Sequence, residues 1–450
     1  MAEVLMGHGL VLGGGVAGLL AAAALAGHGH VVSVVERDRF DGARPRRGVP
    51  QGRHAHLLLA RGVRAIESLV PGFEAALLGA GAHRVGMPQD ILTFTPFGWT
   101  PRFEHGQFLV SCRRPLLESV LRDLVAGVEV VEETEALRLL GDGGRVTGAV
   151  VRSRVDGVER EVLADLVVDA TGASSKADRW LGELGRSVRD VVVDPGIRYA
   201  TALYRPAERF RAFPAVCVQP GPPDEGHGGV VLPVEEGRWI VSLAGLRGHV
   251  PPTDEAGFLG YAKGLRHPLV AELLGCAELV GGIRAYGAPP GRLRTFPEVA
   301  GFVAVGDAVA NYNPLYGHGM TVAALDAVAL RDGVEEHGLG AGVARVVRKA
   351  VSRATADAWA LAVGQDVRYE RTFAPGRRLP DRVAGWYADR VGAAAAVDRE
   401  VAGALLDSYT LSEPLSRLMR PGVVRKVLRT KASRNTEPPL TQEERELLTT

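Results

Sequence analysis

Gly9-Leu10-Val11-Leu12-Gly13-Gly14-Gly15-Val16-Ala17-Gly18 runs into Leu19-Leu20-Ala21-Ala22-Ala23-Ala24-Leu25-Ala26, then Gly27-His28-Gly29-His30 and Val31-Val32-Ser33-Val34-Val35-Glu36. The order is strand, glycine turn, helix, turn, β-branched strand, acid. The helix is rich in Ala and Leu and has no polar face, so it must be buried, as under a parallel sheet. Gly13-x-Gly15-x-x-Gly18, with Glu36 eighteen residues beyond the last glycine, is a pattern that receives a dinucleotide. Gly13 allows the tight turn and Gly15 lets the backbone approach a pyrophosphate. Gly18 lets the helix pack closely, and the helix start at Val16 and Ala17 offers oriented N–H groups. Glu36 would accept the hydrogen bonds of a ribose 2′-OH. The motif alone does not separate NAD from FAD.

The 450 residues, 46% hydrophobic and 23% charged, are enough for about three units of ~150 residues that can be fused around one site. A balance of 53 basic against 52 acidic side chains leaves +1, which gives no global attraction to nucleic acid or to an anionic membrane. Cys112, Cys217 and Cys276 lie far apart without metal-type spacing, which excludes a disulfide scaffold or a zinc module and leaves them as core residues. Val4 to Val35 carries no Asp, Glu, Lys or Arg, but its longest unbroken apolar piece, Val16 to Gly27, is about half of the ~20 residues a membrane span needs. No basic n-region precedes it. The expectation is a cytoplasmic protein without a membrane span.

Further along, Gly141-Asp142-Gly143-Gly144 reads as a hairpin turn. Ala164 to Asp169 is a buried strand ending in Ala170-Thr171-Gly172, and Gly301 to Val305 is another ending in Gly306-Asp307. Between them the pattern turns antiparallel: Tyr199 to Tyr204, Ala215 to Gln219, Gly229 to Pro233 and Arg238 to Leu243, with a hairpin at Glu235-Glu236-Gly237. A long helix starts near His318, and residues 331–410 read as mostly helical. The last fifteen or so, around Pro438-Pro439, read as loosely ordered, and His28 and His30 as solvated turn residues.

Asp165-Leu166-Val167-Val168-Asp169-Ala170-Thr171-Gly172-Ala173-Ser174-Ser175 and Gly306-Asp307, followed by Pro314-Leu315-Tyr316-Gly317-His318-Gly319-Met320, resemble the signatures of flavoprotein monooxygenases of the para-hydroxybenzoate hydroxylase fold. The family's usual Asp-Gly pair stands here as Asp169-Ala170-Thr171-Gly172, and its Gly-Gly-Gln-Gly helix start as Gly317-His318-Gly319. A narrower resemblance lies in Arg47-Gly48-Val49-Pro50-Gln51-Gly52-Arg53-His54-Ala55-His56-Leu57-Leu58, Gly79-Ala80-Gly81-Ala82-His83-Arg84, Gly237-Arg238-Trp239 and Tyr316 to Met320. These look like the bacterial flavin-dependent olefin epoxidases of polyether-ionophore pathways, of the lasalocid and monensin epoxidase type.

The resemblance implies an α/β fold with an α+β substrate layer. A Rossmann-type FAD-binding domain (1–75, 105–190 and 290–330) would interleave with an antiparallel-sheet substrate domain (76–104 and 191–289), followed by a C-terminal helical region (331–450). It implies FAD with NAD(P)H as reductant. Asp307 would bind the ribityl chain, Pro314 would lie beside the isoalloxazine, and Gly317, Gly319 and Met320 would open the helix toward its N1–C2=O edge. Arg114 would contact the cofactor from a helix start, and Gly172 and Arg37 would join the cradle. The loop Arg44-Pro45-Arg46-Arg47 to Arg53 would place guanidinium groups on the pyrophosphate or beside the ring, with Arg47 and Arg53 the named candidates and the contacting arginine open, and the backbone near Ala136 would hold the adenine. Tyr199, Tyr204 and Trp239 would roof the substrate cavity.

The implied activity is transfer of one oxygen atom from O2, through a flavin C4a-hydroperoxide, to an alkene of a polyketide or terpenoid intermediate. Epoxidation needs no general base, so no acid/base residue is assigned. His54 and His56 lack a third ligand, so no metal is expected. Alternatives are a non-redox FAD-containing cyclase of a polyene or an aromatic hydroxylase. A halogenase fits poorly, since the first lysine is Lys176 and Phe97-Gly98-Trp99-Thr100-Pro101 does not match its tryptophan element. The basic stripe Arg417, Arg420, Arg425, Lys426, Arg429, Lys431 and Arg434 reads as a solvated helix face or as a dock for an acidic carrier protein. A separate flavin reductase is a further candidate partner.

Overall fold

A computed structural model describes residues 6–340, 342–375, 379–430 and 435–449. Five parallel strands form the first sheet, in the order Phe302–Ala304, Leu166–Asp169, His8–Leu12, Val31–Val35 and Glu129–Val131. Leu12 sits opposite both Val35 and Asp169, so the carboxyl ends of the central strands finish level. The helix Val16–Ala26 buries most of its surface between this sheet and the helix Gly319–His337, which explains why it has no polar face.

Two glycines make that close approach possible. Gly13 stands at φ +103°, where a Cβ would lie 2.5 Å from the Ala170 carbonyl oxygen. A Cβ on Gly18 would lie 1.8 Å from the Gly13 oxygen, which no side chain can accommodate.

The hairpin at 141–145 is present, pinned by Asp142 Oδ1, which accepts from the N–H groups of Gly144 (2.7 Å) and Arg145 (2.9 Å). All four antiparallel strands expected after residue 195 are present as well, as Arg198–Pro206, Ala215–Val218, His227–Val234 and Arg238–Gly245. Glu236 and Gly237 both carry positive φ in the tight turn between the last two. They belong to a seven-stranded sheet that also takes Ala277–Gly287 at one edge and Ile91–Thr95 with Gly98–Trp99 at the other. One face of this sheet packs on the helices Glu255–Lys263 and Leu269–Gly275 through Phe258, Leu269 and Leu273. The other face packs through Ala215, Leu232, Val234 and Ile240 on a three-stranded sheet of Leu57–Leu59, Gln107–Ser111 and His83–Met87.

The chain continues through the helices Val343–Asp366, Leu379–Ala395, Arg399–Tyr409 and Pro421–Arg429. The C-terminal stretch is a correction to the sequence reading. Asn435 O accepts from Trp99 N–H at 2.9 Å, and the helix Gln442–Thr449 is held by Arg102, whose guanidinium meets Glu444 at 2.7 Å. His30 is likewise buried rather than solvated, with Nδ1 accepting from Gly7 N–H at 3.3 Å. Among the described residues, no helix is long and apolar enough to cross a membrane.

Candidate active site

The loops that leave the carboxyl ends of the parallel strands open into one cavity of about 2150 Å³. Ligands of open α/β sheets bind at this edge. Ordinary small-molecule sites hold ~300–1,000 Å³, so this volume has room for a dinucleotide and a second large ligand. Gly13, Gly15, Val16, Ala17, Glu36, Arg37, Arg114, Ala136, Gly172, Asp307, Pro314, Gly317, Gly319 and Met320 all line it.

Gly15 differs in kind from its two neighbouring glycines. A Cβ there would meet only Arg46 Nη2, at 3.9 Å, so the backbone faces open space at the start of the first helix. Glu36, at the end of the second strand, is buried. Its Oε2 accepts from Gly14 N–H at 2.7 Å, and its Oε1 accepts from Asp38 N–H at 2.9 Å.

Of the arginines in the loop 44–53, Arg46 is the one that lines the cleft. It lies 3.0 Å from Glu36 and 2.8 Å from Glu118, and Glu118 in turn takes Arg114 at 2.8 Å. Burial alone would lower the Arg46 pKa, but Glu118 and Glu36 hold it above the ordinary arginine value. Burial would raise Glu118, but Arg114 and Arg46 keep it below the usual carboxylate range. A fixed cation therefore stands over Gly15, where an anionic diphosphate needs both the backbone N–H groups and a charge-assisted partner.

Arg47 and Arg53, the expected contacts, are exposed and do not line the cavity. The physical reason is long-range. Arg46 is drawn inward by two carboxylates, ten and 72 residues away in sequence, that nothing in the loop itself reveals.

Asp307 follows the strand Phe302–Ala304 in the short turn Gly306–Ala308 and opens toward the cavity. Burial pushes its carboxyl up, against the pull of Arg114 and Arg294. Beyond it, Asn313 Oδ1 accepts from Leu315 N–H (3.1 Å) and caps the turn Pro314–Tyr316. Gly317 takes φ +67°, and the helix Gly319–His337 begins with its free N–H groups at the cavity wall. The positive end of the helix so placed favours an anionic or electron-rich ligand edge. Asp169 does not face a ligand. It holds the Ala170–Ser175 turn by accepting from Thr171 Oγ1 and Ser175 Oγ, each at 2.6 Å.

The remaining cavity is a chamber between the seven-stranded sheet and the C-terminal helices. Tyr199 lines it, but Tyr204 and Trp239 do not. Side chains alternate along a strand, and Tyr204 lies five positions after Tyr199, so the two rings point to opposite faces. Tyr204 stacks near Phe258 on the far side of the sheet, and Trp239, its cross-strand partner, follows it there.

His54 is on the chamber wall beside Tyr286 (5.2 Å between ring centroids), with Nδ1 2.8 Å from Thr201 Oγ1. Burial, aided by Arg53, lowers its pKa to about 4, so it is neutral at physiological pH. His56 Nδ1–H donates to the His54 carbonyl at 2.8 Å, and burial with Arg114 lowers its pKa to about 3. No group of side chains suited to a metal ion occurs among the described residues. Cys217 packs against a hydrophobic cluster, as expected, and also lines the chamber, and burial pushes its thiol up to about 12.

Sequence reasoning placed Arg46 in the cofactor loop without singling it out, and missed Glu118 and the far wall of the chamber, which Val391, Ala395, Ala402, Leu405, Leu406 and Leu418 supply. The i,i+4 spacing of Arg114 and Glu118 was the one available signal for the ion cluster. Arg368 is a charged side chain in this outer region, and it is paired with Asp389 and hydrogen-bonded to Gln365 Oε1 at 3.0 Å. Of the basic stripe, Arg417 is paired with Asp407 (2.9 Å) and Lys426 with Glu400 (2.8 Å). Lys431 and Arg434 lie outside the described residues.

Comparison with known proteins agrees with this geometry. The family described as FAD dependent oxidoreductase matches residues 10–177. Protein Rv3254 of Mycobacterium tuberculosis is 30% identical over 430 residues, spanning 91% of this chain and 90% of its own. The chain belongs to the FAD-dependent oxidoreductases. Squalene monooxygenase of Mus musculus is 26% identical over 342 residues, 70% of this chain and 53% of that one. A flavoprotein/dehydrogenase from Cytophaga hutchinsonii shares the fold at TM-score 0.68 and 17% identity, over 94% of this chain and 98% of that one. The open Gly15 face, the Arg46 cation, the Glu36 acceptor and the helix start at Gly319 suit an extended FAD.

Proposed function

We propose that this flavin monooxygenase transfers one oxygen atom from O2 to a carbon–carbon double bond of a large neutral polyketide or terpenoid. The overall balance is alkene, O2, NAD(P)H and a proton giving epoxide, NAD(P)+ and water. The observation that carries this reading is the chamber. It is continuous with the cofactor cleft at Pro314–Met320, walled by aliphatic side chains, and its outer arginine, Arg368, is already neutralised by Asp389. Among the described residues no free cation stands there for a buried substrate carboxylate, and an unpaired buried charge is strongly unfavourable. An uncharged lipophile meets no such penalty. The name of the squalene-oxidising relative points to the same class of molecule.

FAD, when bound, supplies the oxygen-activating redox chemistry. The chain's own residues bind and shield. Gly13 to Gly18 and Arg46 would hold the diphosphate, Glu36 the ribose, Asp307 the ribityl chain, and the strand at Ala136 the adenine. Arg37, Arg114 and Gly172 would complete the cradle, and Gly317 to Met320 would direct helix N–H groups at the ring edge. The aliphatic wall excludes water from the reacting centre. His54 is the neutral imidazole at pH 7 and keeps one N–H as a hydrogen-bond donor, but it is not an imidazolium acid, which agrees with a reaction that needs no general acid.

The test is incubation of the holoenzyme with NAD(P)H, an alkene substrate and isotope-labelled dioxygen. One labelled oxygen in an epoxide product is expected. Product that forms without NAD(P)H or O2 would mean a non-redox cyclase, and label on an aromatic ring would mean a hydroxylase. Either result rejects the proposal.

A further inference from the structure

The helix Arg399–Tyr409 ends against the turn that starts the cavity helix, and the two are joined by a reciprocal pair of hydrogen bonds. Tyr409 Oη donates to the Tyr316 carbonyl at 3.1 Å, and His318 Nε2–H donates to the Tyr409 carbonyl at 2.9 Å. Because a carbonyl can only accept, the proton of His318 is on Nε2, and its buried Nδ1 has no partner. Burial lowers the His318 pKa to about 4, so the ring keeps this single tautomer at neutral pH. The His318 and Tyr409 rings pack at 5.3 Å between centroids, and His318 is 1% exposed.

Tyr316 is restrained at both ends. Its carbonyl takes Tyr409, and its own Oη donates to Asp366 Oδ1 at 2.9 Å. The next residue, Gly317, is in the left-handed conformation, where a Cβ would press on Leu57 at 3.0 Å. The turn therefore has little freedom except through its attachment to Tyr409. Tyr409 also forms part of the chamber wall, with Leu405 and Leu406 of the same helix.

We propose that Tyr409 is a positioning residue that stitches the C-terminal wall of the chamber to the turn Pro314–Met320, so that seating of FAD and filling of the chamber favour the same arrangement. Coupling of this kind is reciprocal: a ligand on the wall tightens FAD by the factor by which FAD tightens the ligand. The inference rests on the FAD site and the apolar chamber, not on oxygen transfer itself.

The experiment titrates FAD into deflavinated protein by flavin fluorescence quenching, with and without the neutral sesquiterpene alcohol farnesol as chamber probe. Tyr409→Phe keeps the ring and the carbonyl and loses only the donor to Tyr316. Its Kd for FAD should rise about three- to ten-fold, the size of one hydrogen bond, and the visible flavin band of the reconstituted protein should shift. His318→Gln, whose amide can still donate to the Tyr409 carbonyl, should retain affinity, and His318→Leu should lose it. Farnesol should tighten FAD in the wild type and not in Tyr409→Phe. A Tyr409→Phe protein with a lowered melting temperature but unchanged FAD Kd and spectrum would show a merely structural tyrosine and overturn the proposal. Absence of a farnesol effect on the wild type would overturn the coupling. Failure of oxygen transfer in the labelling test leaves these readouts intact, so the two proposals fail separately.

Discussion

Asp366→Asn should make the protein more stable at pH 8 and leave it nearly unchanged at pH 4. Asp366 ends the helix Val343–Asp366 and is 3% exposed. Its Oδ1 accepts from Asn313 Nδ2 at 2.7 Å and from Tyr316 Oη at 2.9 Å. Burial raises its pKa to about 6, against the opposing effect of those two donors. An unfolded aspartate titrates near ~3.9, so between about pH 4 and pH 6 the folded state binds more protons than the unfolded one, and stability falls as pH rises through that window. Two units at ~1.4 kcal/mol each give a cost of about 3 kcal/mol, complete above the folded pKa. Asparagine keeps an acceptor oxygen for both donors and carries no charge, so it avoids this cost. The assay is the difference in melting midpoint between variant and wild type, both freed of FAD, at half-unit steps from pH 4 to pH 8. The difference should open between pH 4 and pH 6 to a gain of a few degrees and then stay flat. A pH-independent difference, or a variant that melts lower at pH 8, would refute the reasoning, since either would mean that the carboxylate is charged and well solvated in the folded state.

Asp326 is completely buried, with its carboxyl pushed up to about 8, so the stability gain of Asp326→Asn should continue to grow up to pH 8 in the same melting series. Gly15→Ala should fold normally, because its Cβ enters open space at φ −77°, yet weaken FAD more than about tenfold by filling the diphosphate approach. Gly18→Ala should instead fail to accumulate as folded protein, read by soluble yield and circular dichroism, because its Cβ overlaps the Gly13 carbonyl. Arg46→Ala should both destabilise the fold, by roughly 3–5 kcal/mol for a broken buried pair, and impair FAD uptake. Arg47→Ala and Arg53→Ala should change FAD affinity less than about twofold, and an equal loss in all three would place the cation elsewhere.

The parallel sheet and its glycine turn were legible because their information is local. Gly13 to Glu36 carries the strand, turn, helix and acid in one continuous stretch, and Leu12, Val35 and Asp169 then finish in register. The cavity-lining turn after Asp307 was readable for the same reason. What failed depended on facing or on distant partners. Tyr204 and Trp239 are aromatic residues on the right sheet but the wrong side of it, a parity that strand boundaries set within one residue. Arg46 could not be told from Arg47 without knowing that Glu118 folds beneath the loop. The C-terminal stretch gave no local sign of order, since Arg102 and Glu444 are 342 residues apart. The chamber wall of Ala395, Ala402 and Leu405 was hidden for a different reason: an aliphatic face toward a ligand has the same composition as one toward a core.

The order in which the chain supplies its parts has an evolutionary consequence. The residues named above as facing the cofactor cleft come before residue 321, and the far wall of the chamber comes from 359–375 and 383–419. Relatives could therefore exchange their cargo by rewriting those later residues while the cofactor-facing ones stayed untouched, provided that a residue at 409 still offered its main-chain oxygen to His318.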